Sequence, residues 1–238
     1  MAKGAYWVIG GTSGIGAAIV SRLKSDGADY VHVTGEECDV RSDAALGRER
    51  EKLHAISGDD FHSVVYCAGI SRLSWLGRMG VQGLRHASDV LDVNCLGFIR
   101  LLNTLGDDNI GLGSKPFSVV AISSDAARRP MRTSAAYCAS KAALDMVVRV
   151  AAREMGPYGW RINAVSPGMV EGTIMSKAVD AQVKKTRHWN DEYTRSYERQ
   201  QEVVPGRIPP EDVASIVVDV LHGPKHLNGS IVEFNGGR

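Results

Sequence analysis

A chain of 238 residues, 44% hydrophobic, 23% charged and 6% aromatic, can bury one sizeable core and has too ordinary a composition for a disordered, coiled-coil or disulfide-rich protein. A net charge of +1 gives no bulk electrostatic pull towards nucleic acid or an anionic membrane. No apolar stretch approaches the roughly 20 residues that span a bilayer, and the apolar run after Met1-Ala2-Lys3 is too short for a signal-peptide core.

Taken in order, strands alternate with helices. Tyr6–Gly10 reads as a strand, Ile15–Ser25 as a helix, Tyr30–Thr34 as a strand and Ser42–Ile56 as a charged helix. Ser63–Cys67 reads as a buried strand, Leu84–Leu105 as one long helix, and Phe117–Ser123 as another buried strand. Ala136–Met155 is a helix that stops at the breaker pair Gly156-Pro157. Arg161–Val165, Pro210–Leu221 and Ser230–Phe234 close the chain as strand, helix and strand. Continuous apolar strands separated by helices predict an α/β fold: a single-domain, Rossmann-type doubly wound parallel sheet spanning 1–238. The polar stretch at about 172–206, with Trp189, Tyr193 and Tyr197 among many basic residues, reads as a substrate lid. Cys38, Cys67, Cys95 and Cys138 include no CxxC pair. They read as reduced thiols without a metal site, which with the lack of a targeting segment predicts a cytoplasmic protein.

Two local patterns carry chemistry. Gly10-Gly11-Thr12-Ser13-Gly14-Ile15-Gly16 lies between the first strand and the first helix. Its glycines permit a sharp turn and bring backbone N–H groups and the positive helix end to a pyrophosphate. Tyr137 and Lys141 lie four residues apart, on one helical face, so a phenol and an ammonium can act together. A neighbouring cation lowers a tyrosine's pKa from near 10, and a drop of roughly 3 units corresponds to about 4 kcal/mol.

These motifs resemble the T-G-x-x-x-G-x-G and Y-x-x-x-K signatures of the classical short-chain dehydrogenase/reductase family, with Ile9 in place of the leading Thr. The likeness runs in order from Tyr6 to Gly237, closing with Pro210-Glu211-Asp212-Val213-Ala214 and Asn235-Gly236-Gly237. It implies a catalytic set of Asn94, Ser124, Tyr137 and Lys141. Tyr137 would be the general acid/base, Ser124 would orient the substrate oxygen, and Asn94 would hold a relay water at a helix kink. It further implies dinucleotide contacts from Gly10, Thr12, Ser13, Gly14, Ile15, Gly16, Glu36, Asp39, Val40, Ala68, Gly69, Tyr137, Lys141, Pro167, Val170 and Thr173. Tyr66-Cys67-Ala68-Gly69 stands where the family has N-N-A-G, and Asn163 to Gly168 resembles N-x-x-x-P-G. The threonine that follows in the family falls on Gly172 here, so its role passes to Thr173, one residue on.

One piece of the family's pattern is missing. Thr34 leads at once to Gly35-Glu36-Glu37-Cys38-Asp39-Val40, so the second crossover helix, and with it the third strand, reads as truncated. Neither Ser13 nor Glu36 supplies the basic residue that NADP users often carry, and Glu36, Glu37 and Asp39 suit a ribose diol. NAD is thus favoured over NADP, although Arg41 is close by. Together these features predict an NAD(P)-dependent oxidoreductase acting on a small-molecule alcohol or carbonyl. Family resemblance implies a homo-oligomer, dimer or tetramer. A non-catalytic dinucleotide sensor and an epimerase or dehydratase with tightly held NAD are the rival readings. Arg128, Arg129 and Arg132 read either as a solvated basic loop or as a grip on an anionic substrate. Trp189, Tyr193 and Tyr197 read either as a cover over a ring or as packing of the lid on the body or on another subunit.

Overall fold

The computed structural model describes residues 4–58, 61–109 and 116–237; the three residues read as lacking a targeting segment lie outside them. Its elements are β1 (Ala5–Ile9), α1 (Gly14–Ser25), β2 (Tyr30–Thr34), α2 (Asp43–Ser57), β3 (Phe61–Tyr66), α3 (Gly80–Leu91) and α4 (Gly97–Asn109). They continue with β4 (Phe117–Ile122), α5 (Ala135–Met155), β5 (Trp160–Pro167), α6 (Ile174–Arg187), α7 (Asp191–Arg199), α8 (Pro210–Leu221) and β6 (Ile231–Phe234).

The strands form one parallel sheet in the order β2-β1-β3-β4-β5-β6. Alternation along β1 divides the core between the two faces. Trp7 and Ile9 pack with Val64, Phe98, Leu101, Leu144 and Val148, under α4 and α5. Tyr6 and Val8 pack with Ile19, Leu23, Val65, Val217 and Val218, under α1 and α8. Each large apolar side chain so buried contributes about 1.5–3 kcal/mol relative to exposure. The strand order reverses between β1 and β3, and the crevice beyond their carboxyl ends is where open α/β sheets bind ligands.

No strand lies between β2 and α2 among the described residues, and none pairs with the outer edge of β2. Only 35–42 separate β2 from α2, too few for a crossover, so α2 carries the chain back across β1 to β3. β2 is left as the sheet's edge, tied to α2 by His32 Nε2 and Glu49 Oε2 at 2.9 Å.

The long helix expected over Leu84–Leu105 is interrupted. α3 ends at Leu91, and Asp92–Leu96 form a π-helical turn in which Gly97 N–H reaches back to the Asp92 carbonyl. The kink that the family resemblance implies at Asn94 is this π-turn, one extra residue wound into the helix.

Candidate functional site

The glycine turn lies at the β1–β3 reversal. Ile9 is buried in the core, and the turn is tied by the neighbouring strand instead: the Thr34 carbonyl accepts from Gly10 N at 2.8 Å and Gly11 N at 3.0 Å. Gly10 has φ +78°, and a Cβ there would lie 2.7 Å from the Ala68 nitrogen, so this position needs glycine. A Cβ on Gly16 would collide with the Gly10 carbonyl oxygen, which lets α1 start directly against the turn. Ser13 is the N-cap of this twelve-residue helix but makes no side-chain capping bond. The first N–H groups of α1 therefore have no side-chain oxygen from the cap, at the positive end of the helix dipole. That observation, with bare backbone at Gly10 and Gly14, fits a dinucleotide's phosphates.

The interrupted helix places Asn94 at the centre of the site. Fully buried, it bonds Ile70 twice, Oδ1 accepting from Ile70 N at 2.8 Å and Nδ2 donating to Ile70 O at 2.9 Å. Nδ2 also donates to Ser140 Oγ at 3.0 Å, and Ser140 Oγ donates to the Tyr137 carbonyl at 2.8 Å. The loop after β3, the π-turn and the first turn of α5 are thereby one unit. Tyr66 adds to it: its hydroxyl donates to the Val93 carbonyl in the π-turn at 2.5 Å, at a spot open only because residue 97 is glycine. Sequence reasoning assigned neither Tyr66 nor Ser140 a part. Tyr66→Phe is expected to destabilise by about 1–3 kcal/mol, because it strands a buried carbonyl. Thermal melts should show a midpoint lower by about 2–4 °C per kcal/mol, and an unchanged midpoint would refute the role.

Tyr137 and Lys141 project from α5 towards this unit. Lys141 Nζ lies 5.8 Å from the Tyr137 ring centroid and donates to the Ile122 carbonyl at 2.8 Å. Gly69 faces them from β3's end: a Cβ there would sit 3.4 Å from Asn94 Oδ1 and 3.6 Å from Lys141 Nζ. Ser124, in extended conformation just past β4, lies near the Tyr137 hydroxyl, donates to Asp125 Oδ1 at 3.4 Å and accepts from Ala126 N at 3.2 Å. The lowered tyrosine pKa expected from the sequence is not what this arrangement gives. Burial pushes the Tyr137 phenol up to about 12; the nearby Ser124 hydroxyl opposes this and the Asp125 carboxylate adds to it. Burial also pulls Lys141 down to about 8. Desolvation disfavours the charged form of each group and is the largest cause of both shifts.

Pro167 is buried at the end of β5, and Val170 is buried beside Ile208. Thr173 faces the glycine turn, its side chain 3.2 Å from where a Gly14 Cβ would lie. Its hydroxyl also caps α6, accepting from Ser176 N at 2.9 Å. The stretch 172–206, expected as a polar excursion, holds α6 and α7. α6 is fastened to two loops. Gln182 Oε1 accepts from Leu73 N at 2.8 Å, Trp75 Nε1 donates to Thr186 O at 3.0 Å, and Arg187 Nε donates to Thr133 Oγ1 at 3.0 Å. Trp189 packs on Tyr193, Tyr197 and Arg187 within the segment itself, and both tyrosines remain exposed. The basic loop divides. Arg128 turns to Asp145, Ser166 and Glu233, Arg129 reaches Gln201 at 3.3 Å, and Arg132 is exposed.

At the other end of the crevice, Val40 is buried and Thr12 lies against Gly35. Glu36 is exposed, and Glu37 folds back to accept from Gly35 N at 2.7 Å. Asp39 accepts from Arg41 N at 3.0 Å and from its guanidinium at 2.9 Å, and this bonding holds the Asp39 carboxyl below its usual range. Asp89 flanks the same guanidinium at 3.8 Å. Among the described residues no three His, Cys, Asp or Glu side chains gather to hold a metal ion, and no helix is long and apolar enough to cross a membrane.

Comparison with known proteins places this geometry. A family model described as enoyl-(acyl carrier protein) reductase matches residues 31–237. The chain is 30% identical to a short-chain dehydrogenase/reductase, FrzI, of a Cladobotryum species, over 97% of its own length and 93% of the relative's. It is 32% identical to an L-xylulose reductase of Caenorhabditis elegans, over 68% of this chain and 70% of that one. Its backbone is similar to that of an actinorhodin polyketide ketoreductase solved with NADPH, with a TM-score of 0.87 at 22% identity, covering 99% of this chain and 97% of the other.

Proposed function

We infer the function from one premise: the chain belongs to the short-chain dehydrogenase/reductase family of oxidoreductases. It transfers hydride between a nicotinamide dinucleotide and the carbon of a small-molecule alcohol or carbonyl. The observation that carries this reading is the convergence of Lys141 and Asn94 on bare Gly69, with the Tyr137 ring 5.8 Å from Lys141 Nζ, beside an α1 N-terminus that its cap side chain leaves unbonded. The reductases and dehydrogenases among the relatives support it.

When bound, the dinucleotide supplies the hydride acceptor or donor. Gly10 and the turn through Gly16 would hold its phosphates, Lys141 Nζ its ribose, and Pro167, Val170 and Thr173 its nicotinamide end. Ser124 Oγ orients and polarises the substrate oxygen, where charge develops. Tyr137 Oη gives that oxygen its proton in reduction and takes it in oxidation. Asn94 holds the π-turn open; its side-chain amide is engaged with Ile70 and Ser140, so a relay water between Lys141 and solvent rests on the turn's backbone. The segment 172–206 is a lid belonging to the same domain, and a second copy packs on the face where Leu96, Ile99, Met146 and Val150 are exposed.

NAD is preferred. Arg41, the cation nearest the expected ribose end, is matched by Asp39 and Asp89, which leaves Glu36 and Glu37 to repel a 2′-phosphate. Titration with both reduced cofactors, and rates over a panel of alcohols and ketones, should show NAD(H) ahead by at least about tenfold, some 1.4 kcal/mol. Preference for NADP(H) would overturn the cofactor assignment. Tight binding with no reduced or oxidised cofactor released on any substrate would overturn the dehydrogenase reading in favour of a sensor or epimerase.

A further inference from the structure

Ser123 and Ser124 are consecutive residues in extended backbone, so their side chains leave opposite faces of the chain. Ser124 meets Tyr137. Ser123 turns to α5 and donates to Asp145 Oδ1 at 2.5 Å. Asp145 lies one helical turn beyond Lys141, with its side chain 6% exposed. Its other oxygen accepts from Arg128 Nη1 at 3.0 Å. Arg128 sits just past the short turn that begins at Ser124, and its remaining donors reach Ser166 Oγ at 2.8 Å and Glu233 Oε1 at 3.1 Å. The end of β4 is thus pinned to α5 at two levels: Ile122 to Lys141, and Ser123 to Asp145.

Neither Asp145 nor Arg128 has a part in the hydride step. A buried carboxylate is costly to desolvate, and an apolar residue of similar size would pack there at less cost. What the ion pair provides is a single geometry, because directional bonds fix the register between the strand end bearing Ser124 and the helix bearing Tyr137. We propose that Asp145, with Ser123 and Arg128, is a positioning clamp that sets the Ser124 hydroxyl against Tyr137 Oη. This rests on the function proposed above, and it removes Arg128 from the residues available to grip an anionic substrate.

The test is a coupling experiment on the full chain. Asp145→Asn and Arg128→Gln should each lower kcat about 10- to 100-fold, the scale of an ångström-level misplacement, with cofactor affinity and substrate KM within about twofold of the parent. In a Ser124→Ala background the same substitutions should change kcat by less than about twofold, because the group they position is gone. Arg128→Lys, which keeps the charge, should recover part of the loss. Parental kcat in both single variants would overturn the clamp, as would an equal loss with and without Ser124, the mark of a merely structural role. Should Asp145→Asn not fold, the partly exposed Arg128 carries the same comparison alone. Full activity of Ser124→Ala by itself would instead overturn the underlying site reading.

Discussion

Tyr137→Phe is expected to lower kcat/KM by about 10²- to 10⁴-fold, the usual contribution of a positioned general acid/base. The substitution removes one oxygen from a half-buried ring and little else. Ser124 keeps its bond with Ala126 N, so no polar group is stranded, and cofactor binding and the thermal midpoint should stay near the parent's. The direction of catalysis adds a second signature. With the phenol pushed up to about 12 by burial, the protein at neutral pH holds it protonated, ready to donate. Carbonyl reduction should therefore hold level through neutral pH, while alcohol oxidation, which needs the phenolate, should climb as pH rises. Steady-state rates in both directions check this. Undiminished turnover in the phenylalanine variant would remove the reading's foundation.

Lys141→Met is expected to abolish most turnover and yet give a more stable protein. Lys141 is 4% exposed, and burial pulls it down to about 8 from the ordinary 10.5 of lysine. Between those values the unfolded chain binds a proton that the folded chain does not, so parental stability rises with pH across the window. Below about pH 8 both states are protonated and the folded state bears the whole desolvation penalty, on the order of 3 kcal/mol. Methionine removes that penalty. It also strands the Ile122 carbonyl, which costs about 1–3 kcal/mol. The net gain, at most about 2 kcal/mol, should raise the melting midpoint by up to about 4–8 °C at pH 7 and fade as pH climbs towards 10.5. A methionine variant less stable than the parent at pH 7 would show that the ammonium is compensated better than its surroundings indicate.

What could be read from the chain alone was whatever depends on near neighbours. The glycine turn and the Tyr137–Lys141 pair are local spacings, and a helix or turn carries them into space unaided. The truncation after Thr34 was equally legible, since too few residues remain for a crossover. The partners that hold these groups in place were not. Tyr66 finds Val93, Arg128 finds Glu233 and Ser140 finds Asn94 only after the sheet has assembled. Three arginines in five positions look like a solvated loop until one is seen to turn to Asp145. The burial that raises the Tyr137 pKa was hidden for the same reason, although the neighbouring Lys141 was visible in the sequence.

The sheet's short edge has a consequence for how a dinucleotide would be gripped. With β2 outermost, the adenosine half would lie at an open border, walled by a turn of exposed carboxylates instead of another strand and helix. Affinity must then concentrate at the diphosphate and nicotinamide ends. Fragments carrying those parts should keep most of the holding power, and the adenine should be tolerant of alteration.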